Sequence, residues 1–484
     1  MENLSALFTD FYELTMAQGY WKKKKNRRSV FEMFFRKHPF KGGYSIFAGL
    51  ETLISKLKTF TFSDDDIAYL RSLKFFDEGF LEYLKTFRFS GNLYAMDEGS
   101  VIFPQEPLIR IDGNFIECQI IEGLVLNIIN FQSLIATKTA RVYLASGKGG
   151  IMEFGLRRAQ GPDGAMSASR AAIIGGAIGT SNTLAAKEFG VKAMGTMAHS
   201  WVMSFPNEEE AFRAYAELYP VHPVFLIDTY DTLKSGVVNA IKVGKEIIGR
   251  GGSFGVRLDS GDMQFLSQAV REALDEAGCQ KATIAVSNDL DESIISTLVN
   301  LGAPINSWGV GTRMVTGGDE ASFNGVYKLT AYENERGVLV PAIKFSDNPE
   351  KTTNPAVKQV LRLRDADGMA LADILSIDDV DKPGAENLKA GENYTFYHPS
   401  ADYRQFSHTL DAPPLPLLKL RVKGGKQISE NPALTDIQKH CKAELETLDV
   451  RYKRLLNPHI YKVSVTQKLR ALKLELIKNY LGDL

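Results

Sequence analysis

The chain has 484 residues, with 44% apolar side chains and 57 Lys plus Arg against 58 Asp plus Glu. That apolar share sustains a core and excludes wholesale disorder, and a net charge of −1 offers no basic excess to duplex DNA, so no nucleic-acid partner is expected. The three cysteines, Cys118, Cys279 and Cys441, are far apart and form no C-x-x-C pair, which predicts free thiols in a reducing compartment rather than a disulfide scaffold or zinc site.

Residues 1–150 read as an N-terminal α/β domain. Thr9–Met16 has an amphipathic helical pattern, with Tyr12 and Met16 sharing a face expected to pack on the body. The basic run Lys22–Arg28 reads as a solvated segment. Ser29–Arg36, β-branched and aromatic, predicts a strand. Ile46, Phe47, Leu50, Leu53, Ile54 and Leu57 fall at helical spacing within Gly43–Phe60. Between Asn92 and Ile111, apolar runs are cut by Asp97-Glu98-Gly99, Pro104 and Pro107, which predicts small strands joined by tight turns. Ile116–Ala145 reads as one long helix or two.

Residues 151–340 become regular. Short apolar runs recur at Ile151–Phe154, Val191–Thr196, Val224–Asp228, Phe254–Asp259, Thr283–Ser287 and Trp308–Gly311, each followed by a helical segment. This βα alternation implies parallel strands and a barrel-like catalytic domain. Asn207 with Glu210 and Asp289 with Glu292 resemble capping boxes. Leu233, Val237, Ile241 and Ile248 fall on one helical face. The most lipid-like run, Ala171–Gly179, is far shorter than the roughly 20 residues of a membrane helix. With no signal-peptide core at the start, the expectation is a cytoplasmic chain with no membrane contact. Residues 341–484 lose the alternation: a polar loop at Lys344–Pro355, strand-like Leu415–Leu420, then lysine-rich helices. This C-terminal region is expected to pack back on the N-terminal domain and barrel.

Polar residues gather where each strand gives way to its loop: Glu153-Phe154-Gly155, Thr196 to His199, Asp228-Thr229, Arg257 to Asp262, Ser287-Asn288-Asp289 and Gly309 to Arg313. In a parallel barrel these ends converge on one rim, where barrel enzymes place their chemistry. Arg257 and Asp259 alternate to the same side. A cation beside a carboxylate suits an anionic ligand that carries hydroxyls, such as ribose next to an acid group; a rim salt bridge is the alternative. Gly309-Val310-Gly311-Thr312 lets backbone N–H groups approach an oxyanion, or makes a tight turn needing positive φ. His199 is either a base or phosphorus nucleophile or a structural hydrogen-bonder. Phe154 either stacks on a planar heterocycle or packs in the core, and Arg157 and Arg158 suit phosphate. A P-loop is absent, and neither Gly147-Lys148-Gly149-Gly150 nor the Gly309 turn completes a dinucleotide fingerprint. A lyase or aldolase using a Schiff-base lysine finds no lysine at these strand ends.

Together these segments resemble the nicotinate phosphoribosyltransferases. The matching pieces are DFYELTMAQGYW at Asp10–Trp21, FEMFFRKHPFKGGY at Phe31–Tyr44, MEFGLRRAQGPDGA at Met152–Ala165, the stretch Gly179–Phe205, VRLDSGD at Val256–Asp262 and GVGTRMVT at Gly309–Thr316. The resemblance implies a type II phosphoribosyltransferase fold: an irregular, incomplete α/β barrel joined to an α/β domain built from the N-terminal region and part of the C-terminal one. It implies that nicotinate and phosphoribosyl pyrophosphate give nicotinate mononucleotide and pyrophosphate, coupled to ATP hydrolysis, as an entry to NAD salvage. It further implies Mg2+, with ligands the sequence does not name, and a homodimer with shared active sites. By this resemblance His199 is a phosphohistidine, and Tyr12 is lent by the partner subunit to stack on the pyridine ring opposite Phe154. Thr196 and Arg257 bind nicotinate; Arg157, Gly311 and Thr312 bind phosphate or ribose; and Asp259 has a catalytic, ribose-holding role. The rivals are nicotinamide phosphoribosyltransferase and a binding homologue that has lost catalysis.

Overall fold

The computed structural model describes residues 4–348, 351–378, 386, 388–401 and 403–482. Two compact units account for the chain: Ile135–Ala321 with Leu434–Gln438, and Met1–Leu134 with Ser322–Ala433 and Lys439–Leu484. Their limits precede residues 150 and 340. The helix Glu122–Ala145 runs through the first limit. Beyond the second, the strand Gly325–Glu333 pairs with the N-terminal strand Arg28–Phe35.

The first unit carries a six-stranded sheet. Its order is Gly179–Thr180, Ile151–Glu153, Ser307–Val310, Thr283–Asn288, Gly255–Leu258, Val224–Leu226. Every ladder in it is parallel. The last strand in the chain lies against the first, so the order is cyclic except at one seam. Among the described residues no ladder joins Val224–Leu226 to Gly179–Thr180. This is the strand order of an incomplete α/β barrel, with Phe212, Phe225 and Phe254 fully buried behind it.

Five of the six expected strands are present; Val191–Thr196 is not one. There, Ala193 makes a single parallel bridge to Thr180. The segment contains Gly195, and among the described residues its strand-like bonds are to Thr180 alone, through Lys192 O and the Met194 N–H, too little for a ladder. Asn207 caps the helix Glu208–Leu218 as expected. The helix Glu292–Asn300 is capped by Asp291, whose side chain accepts from the Ser293 and Ile294 N–H groups. Asp289 does not cap it. The expected apolar helix face is also displaced: Val237, Ala240, Val243 and Ile247 are buried and Ile248 is exposed. A π turn at Thr232–Gly236, closed by the Gly236 N–H on Asp231 O at 2.9 Å, puts an extra residue into the approach.

The second unit holds a seven-stranded sheet. Its order is Leu339–Pro341, Gly325–Glu333, Arg28–Phe35, Ile109–Asn114, Asn92–Ala95, Lys419–Lys423, Lys426–Gln427, antiparallel throughout. A six-stranded sheet is built from residues 358–465. The expected helix within Gly43–Phe60 begins only at Leu50. Gly49 has φ +106°, which no helix interior tolerates, so Ser45–Ile46 pairs as a short strand with Val101–Ile102. The helix Phe11–Lys22 forms, but its Tyr12 and Met16 face is exposed, and Leu14 and Ala17 are buried instead. Phe115–Ala145 is long and apolar enough to cross a membrane by composition, unlike Ala171–Gly179, and 67% of its most apolar window is buried inside the protein. All three cysteines are free and buried.

N- and C-terminal segments are joined in this unit by buried ion pairs. Lys358 Nζ lies 2.9 Å from Glu32, and Arg110 lies 2.9 Å from Asp378. Arg362 pairs with Asp373 at 2.7 Å and Glu444 at 2.6 Å and also donates to Val101 O. Removing one member of such a set leaves an uncompensated buried charge, costing about 3–5 kcal/mol. Arg362→Ala is therefore expected to lower the unfolding free energy measured by urea titration by an amount in that range. Lys22→Ala, on the exposed pair with Asp77, should shift it by less than about 1 kcal/mol.

Candidate active site

Parallel register delivers the end of every strand to the same edge of the sheet. There the strand exits of the first unit line a cavity of about 240 Å³. It is bounded by Phe154, Arg157 and Arg158, by Arg257 and Asp259, by Ser287 to Asp289, and by Gly309, Gly311 and Thr312. Asp289, released from capping, is part of that wall.

The polar groups are tied to one another. Arg257 donates to the Thr196 hydroxyl. His199, the first residue of the helix His199–Met203, has Nε2 3.8 Å from Asp259 Oδ2. Its Nδ1 is 3.1 Å from Thr229 Oγ1. Asp259 is held from two sides: its N–H donates to Asp228 Oδ2 at 2.9 Å, and the Ser287 hydroxyl donates to its Oδ1. Asp228 also accepts from the Ser260 hydroxyl at 2.6 Å.

Two polar atoms in this set are buried without a hydrogen-bond partner, Arg257 Nε and Asp228 Oδ1. Burial pulls the Arg257 guanidinium below the usual arginine range; Asp259 and Asp228 oppose that and Arg157 adds to it. A desolvated cation next to a second arginine is poised for an anion.

Backbone space is as specific as charge. A Cβ on Gly309 would fall 2.6 Å from Phe154 Cδ2, and one on Gly311 would fall 3.2 Å from Phe154 O. Gly311 has φ −113°, so close approach and not a left-handed turn explains it. The helical piece after it is a single turn, Thr312–Val315. Asn288 stands on the cavity wall at φ +131°, a conformation costing about 1–3 kcal/mol in a non-glycine residue.

The structure thus brings Phe154, Arg157, Arg257, Asp259, Gly311 and Thr312 around one cavity and links Thr196 and His199 to them. Thr229, Asp228 and Ser287, which orient His199 and Asp259, carried no individual role in the sequence; their only signal was position at a strand end. Tyr12 belongs to the other unit. The residue is 48% exposed, and the Glu122 carboxylate is among the charges near its phenol. Burial first, then Glu122, raise the Tyr12 phenol above its usual range. The adjacent Glu13 is buried and accepts from the Thr9 hydroxyl and, at 3.0 Å, the Asp10 N–H.

The chain is thus an α/β protein whose parallel sheet has the strand order of an incomplete barrel, with a basic, hydroxyl- and carboxylate-lined cavity at its strand ends. Sequence profiles narrow the class. That of the nicotinate phosphoribosyltransferase N-terminal domain matches residues 7–130, the family profile matches 150–367 and the C-terminal domain profile matches 357–473. Nicotinate phosphoribosyltransferase of Bacillus subtilis is 40% identical, over 98% of this chain and 95% of its own length. That of Homo sapiens is 32% identical, over 96% of this chain and 95% of its own. The crystal structure of human nicotinic acid phosphoribosyltransferase superposes with a TM-score of 0.84 at 30% identity, covering 97% of this chain and 99% of that one. The chain belongs to the nicotinate phosphoribosyltransferase family.

Burial pushes the Glu13 carboxyl up from 4.5 to about 7. The folded state therefore holds a proton that the unfolded chain has released, and stability falls as pH rises through that interval. Glu13→Gln should remove this loss. Melting temperatures at pH 5 and pH 8 are expected to show the variant gaining on the parent as pH rises; a constant difference would contradict the raised carboxyl.

Proposed function

We propose that this protein is an ATP-coupled nicotinate phosphoribosyltransferase. It takes nicotinate, phosphoribosyl pyrophosphate, ATP and water to nicotinate mononucleotide, pyrophosphate, ADP and phosphate. The observation that carries the reading is Arg257: a half-buried guanidinium with an unsatisfied Nε, tied to Thr196 and sharing a cavity with Phe154. A flat aromatic carboxylate meets all three, its acid group on Arg257 and its ring on Phe154. A neutral carboxamide leaves the cation without a counter-charge, which disfavours nicotinamide.

In the transfer step the pyridine nitrogen forms a bond to C1 of the ribose as the bond from C1 to the pyrophosphate oxygen breaks. Stacking holds the nitrogen in line. Arg157 and the Gly311-Thr312 turn receive phosphate, while Asp259 faces the ribose and the cationic character that develops at C1. Asp228 and Asp259 fit Mg2+, which is bound through one or two carboxylates plus substrate phosphates; the buried, unpartnered Asp228 Oδ1 supports this. Bound there, the ion would neutralise charge on the departing pyrophosphate. In the coupling step His199 Nε2 attacks the γ-phosphorus of ATP and ADP leaves; water later cleaves the phosphohistidine. Thr229 on Nδ1 orients the ring for this. Tyr12, exposed on its helix, suits a homodimer in which it closes the second face of the pyridine in the neighbouring subunit.

His199→Ala should retain weak transfer while losing ATP stimulation and nicotinate-dependent ADP release; persistent ATP stimulation would remove His199 from the coupling step. Arg257→Ala should raise KM for nicotinate about 10-fold or more, as for loss of a charged hydrogen bond, and leave the weak use of nicotinamide nearly unchanged. Equal effects on both substrates would reject the carboxylate contact.

A further inference from the structure

We propose that Glu153 is a positioning residue for the transfer reaction: its buried carboxylate fixes the Phe154-Gly155 turn and so sets the plane on which the pyridine ring rests. This builds on the reading that nicotinate stacks on Phe154. Glu153 is the last residue of its strand and has no solvent exposure. A carboxylate kept from water needs donors at each oxygen, and three supply them. The Gly155 N–H donates to Oε1. The Ser169 and Thr180 hydroxyls donate to Oε2 at 2.8 and 2.5 Å. Ser169 lies on the helix Gly161–Gly175 and Thr180 on the sheet edge, so one carboxylate ties the turn to two other elements.

The turn has no slack elsewhere. The Phe154 N–H donates to Val310 O at 2.9 Å. Gly155 packs so tightly on Val315 that a Cβ would fall 2.2 Å from its Cγ1, and the Phe154 ring lies against the bare backbone of Gly309. Glu153 and Gly155 flank Phe154, and both are held through the same carboxylate. Without it the Gly155 N–H loses its acceptor, the turn keeps only the Phe154 N–H bond to Val310 O and the Val315 contact, and the ring shifts on Gly309. Glutamine retains the tie: its carbonyl oxygen takes the Gly155 N–H, and its NH2 faces two hydroxyls that rotate to accept.

The test compares Glu153→Ala, Glu153→Gln, Phe154→Leu and the Glu153→Ala/Phe154→Leu double variant, with KM for nicotinate, KM for phosphoribosyl pyrophosphate, kcat and Tm measured for each. Phe154→Leu reports on the stacking reading alone; an unchanged nicotinate KM there would end that reading and this proposal with it. If Phe154→Leu raises it, Glu153→Ala is expected to raise it about 10-fold, as an unpaired buried donor would, with the other KM within about 2-fold. Glu153→Gln should return it to near the parent value, and the double variant should be no worse than Phe154→Leu, because both changes act on one ring. A lower Tm with an unchanged nicotinate KM, or effects that multiply in the double variant, would make Glu153 a structural residue and overturn the proposal while leaving stacking intact. If Glu153→Ala does not fold, Ser169→Ala replaces it. That variant strips one hydroxyl from the carboxylate and should raise nicotinate KM by a few-fold in the parent but not in Phe154→Leu; parent-like KM would overturn the proposal.

Discussion

A parallel strand cannot turn directly into its neighbour. The chain must return through a helix, so every strand starts at one edge of the sheet and ends at the other. In this protein that constraint assembles the site. Phe154, Arg257, Asp259, Ser287 and Gly311 are spread over more than 150 residues of sequence, yet each lies at or just beyond the end of a parallel strand. The cyclic order, with Ser307–Val310 against Ile151–Glu153, brings the Gly309–Thr312 turn beside the Phe154 turn. The bare backbone of Gly309 then accepts the aromatic ring.

Buried charge is used in more than one way in this protein. Arg362 is buried with its hydrogen-bonding directions filled by Asp373, Glu444 and a carbonyl. It is a completed network, and such networks hold segments together. Arg257 and Asp228 sit in a similar mixture of arginine and carboxylate, but each keeps a buried atom without a partner. An unsatisfied buried group carries a cost, and Arg110 Nε and Glu32 Oε1 in the second unit carry it too; what distinguishes Arg257 is that its unpartnered atom belongs to a residue lining the cavity at the strand ends. Asn288 at positive φ on the same wall is a second departure from local optimality at that place.

The second unit shows why chain order is a poor guide to domain order. Gly325–Glu333 extends the sheet begun by Arg28–Phe35, and Lys358 closes on Glu32. Residues hundreds of positions apart share one antiparallel sheet because that sheet has open edges to fill. The C-terminal domain profile that covers residues 357–473 extends the family likeness well beyond Thr316, where the last of the matching motifs ends. The superposition on the human structure at 30% identity spans both units' residues.

The βα alternation, the residues at the strand ends and the family motifs were legible in the sequence because they are local: periodicity of 2 or 3.6 and short ordered motifs survive without any long-range contact. What the tertiary structure alone decided is relational. Val191–Thr196 has strand composition but, among the described residues, strand-like bonds to Thr180 alone. Asp289 and Asp291 compete for one helix N-terminus, and backbone geometry selected Asp291, leaving Asp289 to the cavity. The Tyr12 face has the pattern of a packed helix face and is exposed. Arg362, Asp373 and Glu444 became one network through sheet and helix packing over 82 residues of separation. Glu153 read simply as one polar residue among many at the rim, and its three donors come from residues 155, 169 and 180. Composition and spacing specify which elements form; which side chains find partners, and which are left wanting one, depends on distances that exist only after the elements have packed.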